Sequence, residues 1–155
     1  MTHKLRNNVS VLEGSGGNIG VLTRPDGKVL VDAGIGVSRA QLTNALAALG
    51  SDPITHLINT HWHFDHADGN TWLHSVGAKI IAQNNTRKHL SGVQRVEDWD
   101  YNFLPLPVGA LPSEVFAEEH QLKQWSVARP EILRPGAHRR RYLRYLRRDK
   151  CCSRR

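Results

Sequence analysis

Cysteine is nearly missing from this chain of 155 residues. The only two, Cys151 and Cys152, are adjacent. Neither a disulfide framework nor a cysteine zinc site is indicated. No apolar run approaches the roughly 20 residues of a membrane span, so no membrane partner is expected. Met1–Ser10 is polar and lacks the apolar core of a signal peptide, so the expected compartment is the cytoplasm. No internal repeat is visible, and the length allows one domain at most. Acidic residues are scarce in one region only. Residues 125–155 hold ten Arg and one Lys against Glu131 and Asp149, a net of +9. The whole chain is +7, so residues 1–124 carry −2.

Against this background the run His61-Trp62-His63-Phe64-Asp65-His66 stands out. Four metal-binding side chains fall within six residues. Imidazole and carboxylate are ligands that Zn²⁺ and Fe²⁺ accept. Buried histidine and aspartate cost free energy unless something satisfies them, and a metal would satisfy all four. The preceding Ile54–Asn59 reads as a buried strand, which puts the ligands on the loop at its end. In extended backbone, residues i and i+2 point the same way. His61 and His63 can then share one metal, with Asp65 and His66 past the turn facing a second. Two metals about 3.5–4 Å apart can clamp a water, lower its pKa towards about 7 and polarise a carbonyl or phosphoryl group. The plain alternative is a solvated histidine-rich loop, but such tracts do not include an aspartate at this spacing. The scattered His3, His56, His74, His89, His120 and His138 read as surface or core residues without a metal.

The flanking pattern predicts an α/β layer fold. Asn8–Leu12, Ile19–Thr23, Lys28–Val31 and Lys79–Ala82 read as strands, with Pro25-Asp26-Gly27 as hairpin turn chemistry. Ser38 and Gln41 form a capping-box pattern. Leu42, Ala45, Leu46 and Leu49 follow at helical spacing, and Gly50 is a natural stop. Asn70–Ser75 and Asn85–Leu90 also read as helices. Residues 91–116, with Trp99, Tyr101, Phe103, Pro105, Pro107 and Pro112, read as a long loop. It is either a wall or lid over the metal site or an ordinary aromatic-anchored connection. Asp98 and Asp100 are expected to be solvated.

His61-x-His63-x-Asp65-His66 resembles the signature of the metallo-β-lactamase superfamily of metallohydrolases. The resemblance covers about residues 5–120. Gly16-Gly17-Asn18 before an apolar stretch, Val29–Gly34 ending in Asp-x-Gly, and Asn59-Thr60 before the ligand run are similar to that family's strands and turns. The implied fold is the N-terminal half of an αββα sandwich over 1–124. The implied function is hydrolysis of an ester, thioester, lactam or related bond in a small-molecule substrate, with one or two Zn²⁺ and Fe²⁺ as the alternative. His61 and His63 would hold the first metal and Asp65 and His66 the second. Asp65 would also orient the attacking hydroxide. Asp32 would stand behind the metals, fixing a ligand or a backbone turn.

The tail departs from that pattern. The family needs a third ligand histidine, a bridging aspartate and a last histidine, yet only His138 is offered, followed by Arg139. Two packed half-sheets also need more than 155 residues. The peptide Ala137–Arg144 can be encoded so that the next reading frame gives His-Thr-Asp-Gly-Asp-Ile-Ser, a match to the third metal motif. The tail from about Leu122 to Arg155 is therefore read as an out-of-frame translation, and the chain as a truncated, impaired copy of a two-metal hydrolase. Two other readings remain. One is an inactive metal-binding fragment. The other is a protein that binds nucleic acid through its Arg-rich tail, the less expected partner.

Overall fold

The computed structural model describes residues 1–122. The tail reading for 125–155, including His138, lies outside them. One seven-stranded sheet organises the described residues. Its order is β1 (Thr2–Arg6), β2 (Val9–Leu12), β3 (Ile19–Arg24), β4 (Gly27–Val31), β5 (Ile54–Asn59), β6 (Lys79–Gln83) and β9 (Glu114–Phe116). The first four strands pair antiparallel and the last four parallel. A separate two-stranded ribbon pairs β7 (Gln94–Val96) with β8 (Tyr101–Phe103). The helices are α1 (Arg39–Ala48), α2 (Phe64–Ala67), α3 (Asn70–Ser75) and α4 (Asn84–Leu90).

Strand alternation sorts the apolar residues. Val21, Leu30, Leu57 and Ile80 face α1 and α3 and meet Leu42, Leu46, Trp72 and Leu73 in the main core. Leu42 and Leu46 are the buried positions of α1, which matches the i, i+4 stripe. The opposite sheet face buries a smaller cluster of Val29, Ile58, Ile81 and Phe116, while Val31 and Val115 stay exposed. Lys28 is 2% exposed, which its charge would forbid without partners. Its Nζ donates to the Gly50 and Asp52 carbonyls at 2.7 and 2.5 Å. It thereby closes the carboxyl end of α1 and the turn into β5.

Three expectations need correction. Ser38 makes no side-chain cap on α1, because it is buried as the last residue of a 3-10 turn, Gly36–Ser38, that runs directly into the helix. Asp65 and His66 do not lie on an open loop but in the single turn of α2. Residues 91–116 are not one long loop, since they contain β7, β8 and the edge strand β9. Asp100 is exposed, as expected, and its carboxylate also pairs with Arg95 at the surface.

Candidate metal centre

The histidine run leaves the sheet at the carboxyl end of β5, where parallel α/β sheets place their ligand sites. Two buried amides fix its departure. Asn59 Nδ2 donates to Asn70 Oδ1 at 3.0 Å, and Asn70 Nδ2 donates back to Asn59 Oδ1 at 2.9 Å. Asn70 also donates to the Ala110 carbonyl at 3.0 Å, and Asn59 to the His66 carbonyl at 3.3 Å. Both asparagines are essentially unexposed. The pair ties β5, α2 and α3 into one block.

Asp32 stands behind the run, in the turn after β4, with φ of +67°. Aspartate tolerates this left-handed conformation better than most residues. Its backbone N–H donates to the Ile58 carbonyl at 2.8 Å. Its carboxylate accepts from the Thr60 N–H at 2.8 Å and from the Thr60 hydroxyl at 2.8–2.9 Å, and it lies 2.9 Å from His66 Nδ1. The Asp32 bond holds the His66 imidazole above its ordinary pKa, with burial opposing and the Asp32 and Asp65 charges assisting. Thr60 Oγ1 lies 3.0 Å from His61 Nδ1. One buried carboxylate thus orients His66 directly and His61 through Thr60.

Glycines let the backbone close around the motif. A Cβ at Gly69 would lie 2.3 Å from the Ala33 carbonyl oxygen, and one at Gly17 would lie 2.8 Å from that of Asp65. Gly16-Gly17 therefore packs against Asp65 and His66 from the β2–β3 connection.

The structure brings all four motif side chains together. Ring centroids are 4.6 Å apart for His61 and His63, and 4.1 Å apart for His61 and His66. His66 Nε2 lies 3.3 Å from Asp65 Oδ2. For an ion with ligands at roughly 2.0–2.1 Å, the edge of a tetrahedron is about 3.4 Å, so these two donors fit a shared divalent ion. The donor set of imidazoles and one carboxylate suits the same metals. Among the described residues, no three His, Cys, Asp or Glu side chains converge in metal-holding geometry as they stand. Ligation therefore requires side-chain rotation within the gathered set.

Aromatic residues rim the motif. Phe64 stacks on Phe103 at 5.4 Å and meets Trp99 edge-on at 6.3 Å. Tyr101 meets Phe103 at 4.8 Å. The β7–β8 ribbon therefore lies against the ligand run. Trp62 meets His63 edge-on and stacks on His89 of α4. Sequence reasoning gave no site role to Asn70, Trp62 and His89, and named Thr60 only as part of the lead-in to the ligand run. Thr60 and Trp62, both adjacent to His61, carried a signal of position.

A second titratable cluster sits at the amino ends of β5, β6 and β9, away from the motif. Glu114 pairs with Lys79 and lies 2.8 Å from His120. The Lys79 contact holds Glu114 below the ordinary carboxylate range. Burial, then Lys79, pushes His56 down. No helix among the described residues is long and apolar enough to cross a membrane.

The profile of the Metallo-beta-lactamase superfamily matches residues 12–139. A hydroxyacylglutathione hydrolase of Erythrobacter litoralis (strain HTCC2594) is 54% identical over 44 residues, which cover 28% of this chain and 17% of that protein. The fold is similar to BJP-1, a subclass B3 metallo-β-lactamase of Bradyrhizobium japonicum. That structure has a TM-score of 0.65 at 21% identity over 78% of this chain and 47% of the other. A metallo-β-lactamase of Cronobacter sakazakii matches at 0.64 with 27% identity, over 74% of this chain and 47% of the other. The chain thus spans less than half the length of each of these relatives. The histidine run at the end of β5, the Asp-x-Gly turn behind it and the profile over most of the chain agree: the protein belongs to the metallo-β-lactamase superfamily of hydrolases.

Proposed function

We propose that the His61–His66 run binds zinc, one or two ions, and that the intact fold hydrolyses an ester, thioester, lactam or related bond of a small molecule. The gathering of three imidazoles and Asp65 over the Asp32–Thr60 anchor carries this reading. When bound, such an ion polarises the scissile carbonyl and lowers the pKa of a water. His61 and His63 would hold the first ion, and Asp65 and His66 the second. Asp65 accepts a hydrogen bond from the attacking water and aims it at the carbonyl. Asp32 accepts from His66 Nδ1, so that Nε2 presents its lone pair to the ion. The ribbon aromatics Trp99, Tyr101 and Phe103, with Phe64, form an apolar wall for the substrate body. The relatives named hydroxyacylglutathione hydrolase and metallo-β-lactamase support thioester and lactam as the first substrates to try.

A second reading, a metal-binding fragment without turnover, is favoured by the lack of three converged donors among the described residues. Thioester and lactam hydrolysis, assayed with added Zn²⁺ on the wild type and on His63→Ala, decides between them. Zinc-dependent turnover abolished by the substitution establishes the hydrolase. Zinc binding without turnover on either substrate class establishes the fragment.

A further inference from the structure

The histidines of the motif are held in two different ways. His66 is bonded by Asp32, and His61 lies in hydrogen-bond reach of Thr60. Among the described residues, no hydrogen bond reaches the His63 ring. Its surroundings are aromatic instead. Trp62 meets it at 4.7 Å and 85°, and His61 at 4.6 Å and 70°. Trp62 is itself gripped. His89 stacks on it at 5.3 Å and 25°, and it packs against the cluster of Ala67, Leu90 and Leu111.

The His89 ring is set by Gln94 at the start of β7. The Gln94 Nε2 donates to the His89 and Gly92 carbonyls at 3.0 and 3.3 Å. Both amide donors are thereby used, so Oε1 must act as acceptor. His89 Nδ1, 2.8 Å from that oxygen, is then the donor and carries the proton. The ring cannot flip without breaking this bond. The chain of contacts runs from the β7–β8 ribbon through Gln94, His89 and Trp62 to His63.

We infer that Trp62, His89 and Gln94 are positioning residues that fix the orientation of the His63 imidazole. They take the place of the hydrogen bond that the other two histidines receive from behind. This rests on the proposed metal-binding role of His63 for its functional meaning, but the positioning itself can be read without metal. It also links the aromatic ribbon to the centre, because Gln94 belongs to the same ribbon that supplies Trp99, Tyr101 and Phe103.

The test uses the full chain, metal-free and then titrated with Zn²⁺. Assigned NMR signals of the His63 ring protons report its position against the Trp62 ring. His89→Ala and Gln94→Met are expected to move those signals, although neither residue makes a ring contact with His63. Trp62→Ala should move them furthest, leaving only the displacement due to the His61 ring, and Trp62→Phe should keep part of the Trp62 displacement. Circular dichroism identifies any variant that fails to fold, and His89→Phe, which keeps a stacked face but loses the Gln94 bond, then replaces His89→Ala. With zinc, folded Trp62→Ala should bind about 10–100-fold more weakly, the range for loss of a ligand-orienting group. Unmoved His63 signals in folded His89 and Gln94 variants overturn the inference. Moved signals in the variants, together with a wild type that takes up no zinc, sustain the positioning and refute the metal-binding role.

Discussion

Asp32→Asn separates the charge of the buried anchor from its shape. Asparagine occupies the left-handed region about as readily as aspartate, so the φ of +67° is retained without new strain. Its Oδ1 can still accept from the Thr60 N–H, which lies 2.8 Å from the native carboxylate oxygen. Its Nδ2 meets His66 Nδ1 at the place where Asp32 Oδ2 accepts at 2.9 Å. Two donors then oppose each other, and His66 must give up the Nδ1–H tautomer or turn away. Loss of one hydrogen bond to a charged group amounts to about 1.5–3 kcal/mol. Asp32 is only 5% exposed, so water recovers little of it. The metal-free variant is therefore expected to lose about 2 kcal/mol in a denaturant melt, by the same reasoning. Zinc affinity is expected to fall by about 10–100-fold, because His66 no longer presents Nε2. A variant that melts within about 0.5 kcal/mol of the wild type and binds zinc equally well refutes the anchor, since that is the scatter of a neutral surface change.

Asn70→Ala strands Asn59 Oδ1 and the Ala110 carbonyl, and leaves Asn59 Nδ2 with its bond to the His66 carbonyl alone. At about 1–3 kcal/mol for each of the two buried groups left unpaired, it should lower stability by roughly 2–6 kcal/mol in the same melt. Gly69→Ala drives a methyl into the Ala33 carbonyl and should shift the neighbouring Asp32, weakening zinc binding and stability together, as read by titration and thermal melting. Glu114 is held below its ordinary pKa by Lys79. Its contribution to stability is full above the unfolded carboxylate value and is lost as pH falls through the lower folded value. Glu114→Gln should flatten that acid limb of the stability–pH curve by lowering stability modestly at neutral pH, as for a partly exposed ion pair, while leaving the low-pH end nearly unchanged. For the Arg-rich stretch, translation of the coding DNA across codons 115–155 in the other two frames should restore a third histidine motif. If neither frame continues the pattern, the out-of-frame reading fails.

Much of the fold was legible because local and tertiary signals agree. β5 and α3 fall where Ile54–Asn59 and Asn70–Ser75 were expected, since each combines strong periodicity with clear turn residues at its ends. β1 was missed because Thr2–Arg6 is exposed throughout and shows no alternation. Pairing with β2 alone makes it a strand. β9 is three residues long and exists through its pairing with β6, which no local pattern reveals. The Ser38 cap failed because the preceding 3-10 turn had already committed the backbone. The clustering of ligand types around His61–His66 was legible, since it lies in one hexapeptide. Asn59 with Asn70, and Gln94 with His89 and Trp62, were not. Those pairings depend on which elements the sheet brings to one end, and a polar side chain has no periodicity to announce its partner.

The arrangement also explains why a site this dense in polar groups is tolerated at the end of a buried strand. Imidazoles and carboxylates that share a half-buried space must each be oriented, or their desolvation is uncompensated. Here the cost is spread over two independent supports. Asp32 and Thr60 act from the β4–β5 side, while Trp62, His89 and Gln94 act from α4 and the ribbon. Supports on separate elements predict near-additive losses. An Asp32→Asn, Gln94→Met double variant should lose stability equal to the sum of the singles within about 0.5 kcal/mol, as for sites without shared partners. A coupling well above that value, measured by denaturant melts of all four proteins, would show that the two supports act through one another and that the three rings move as a single block.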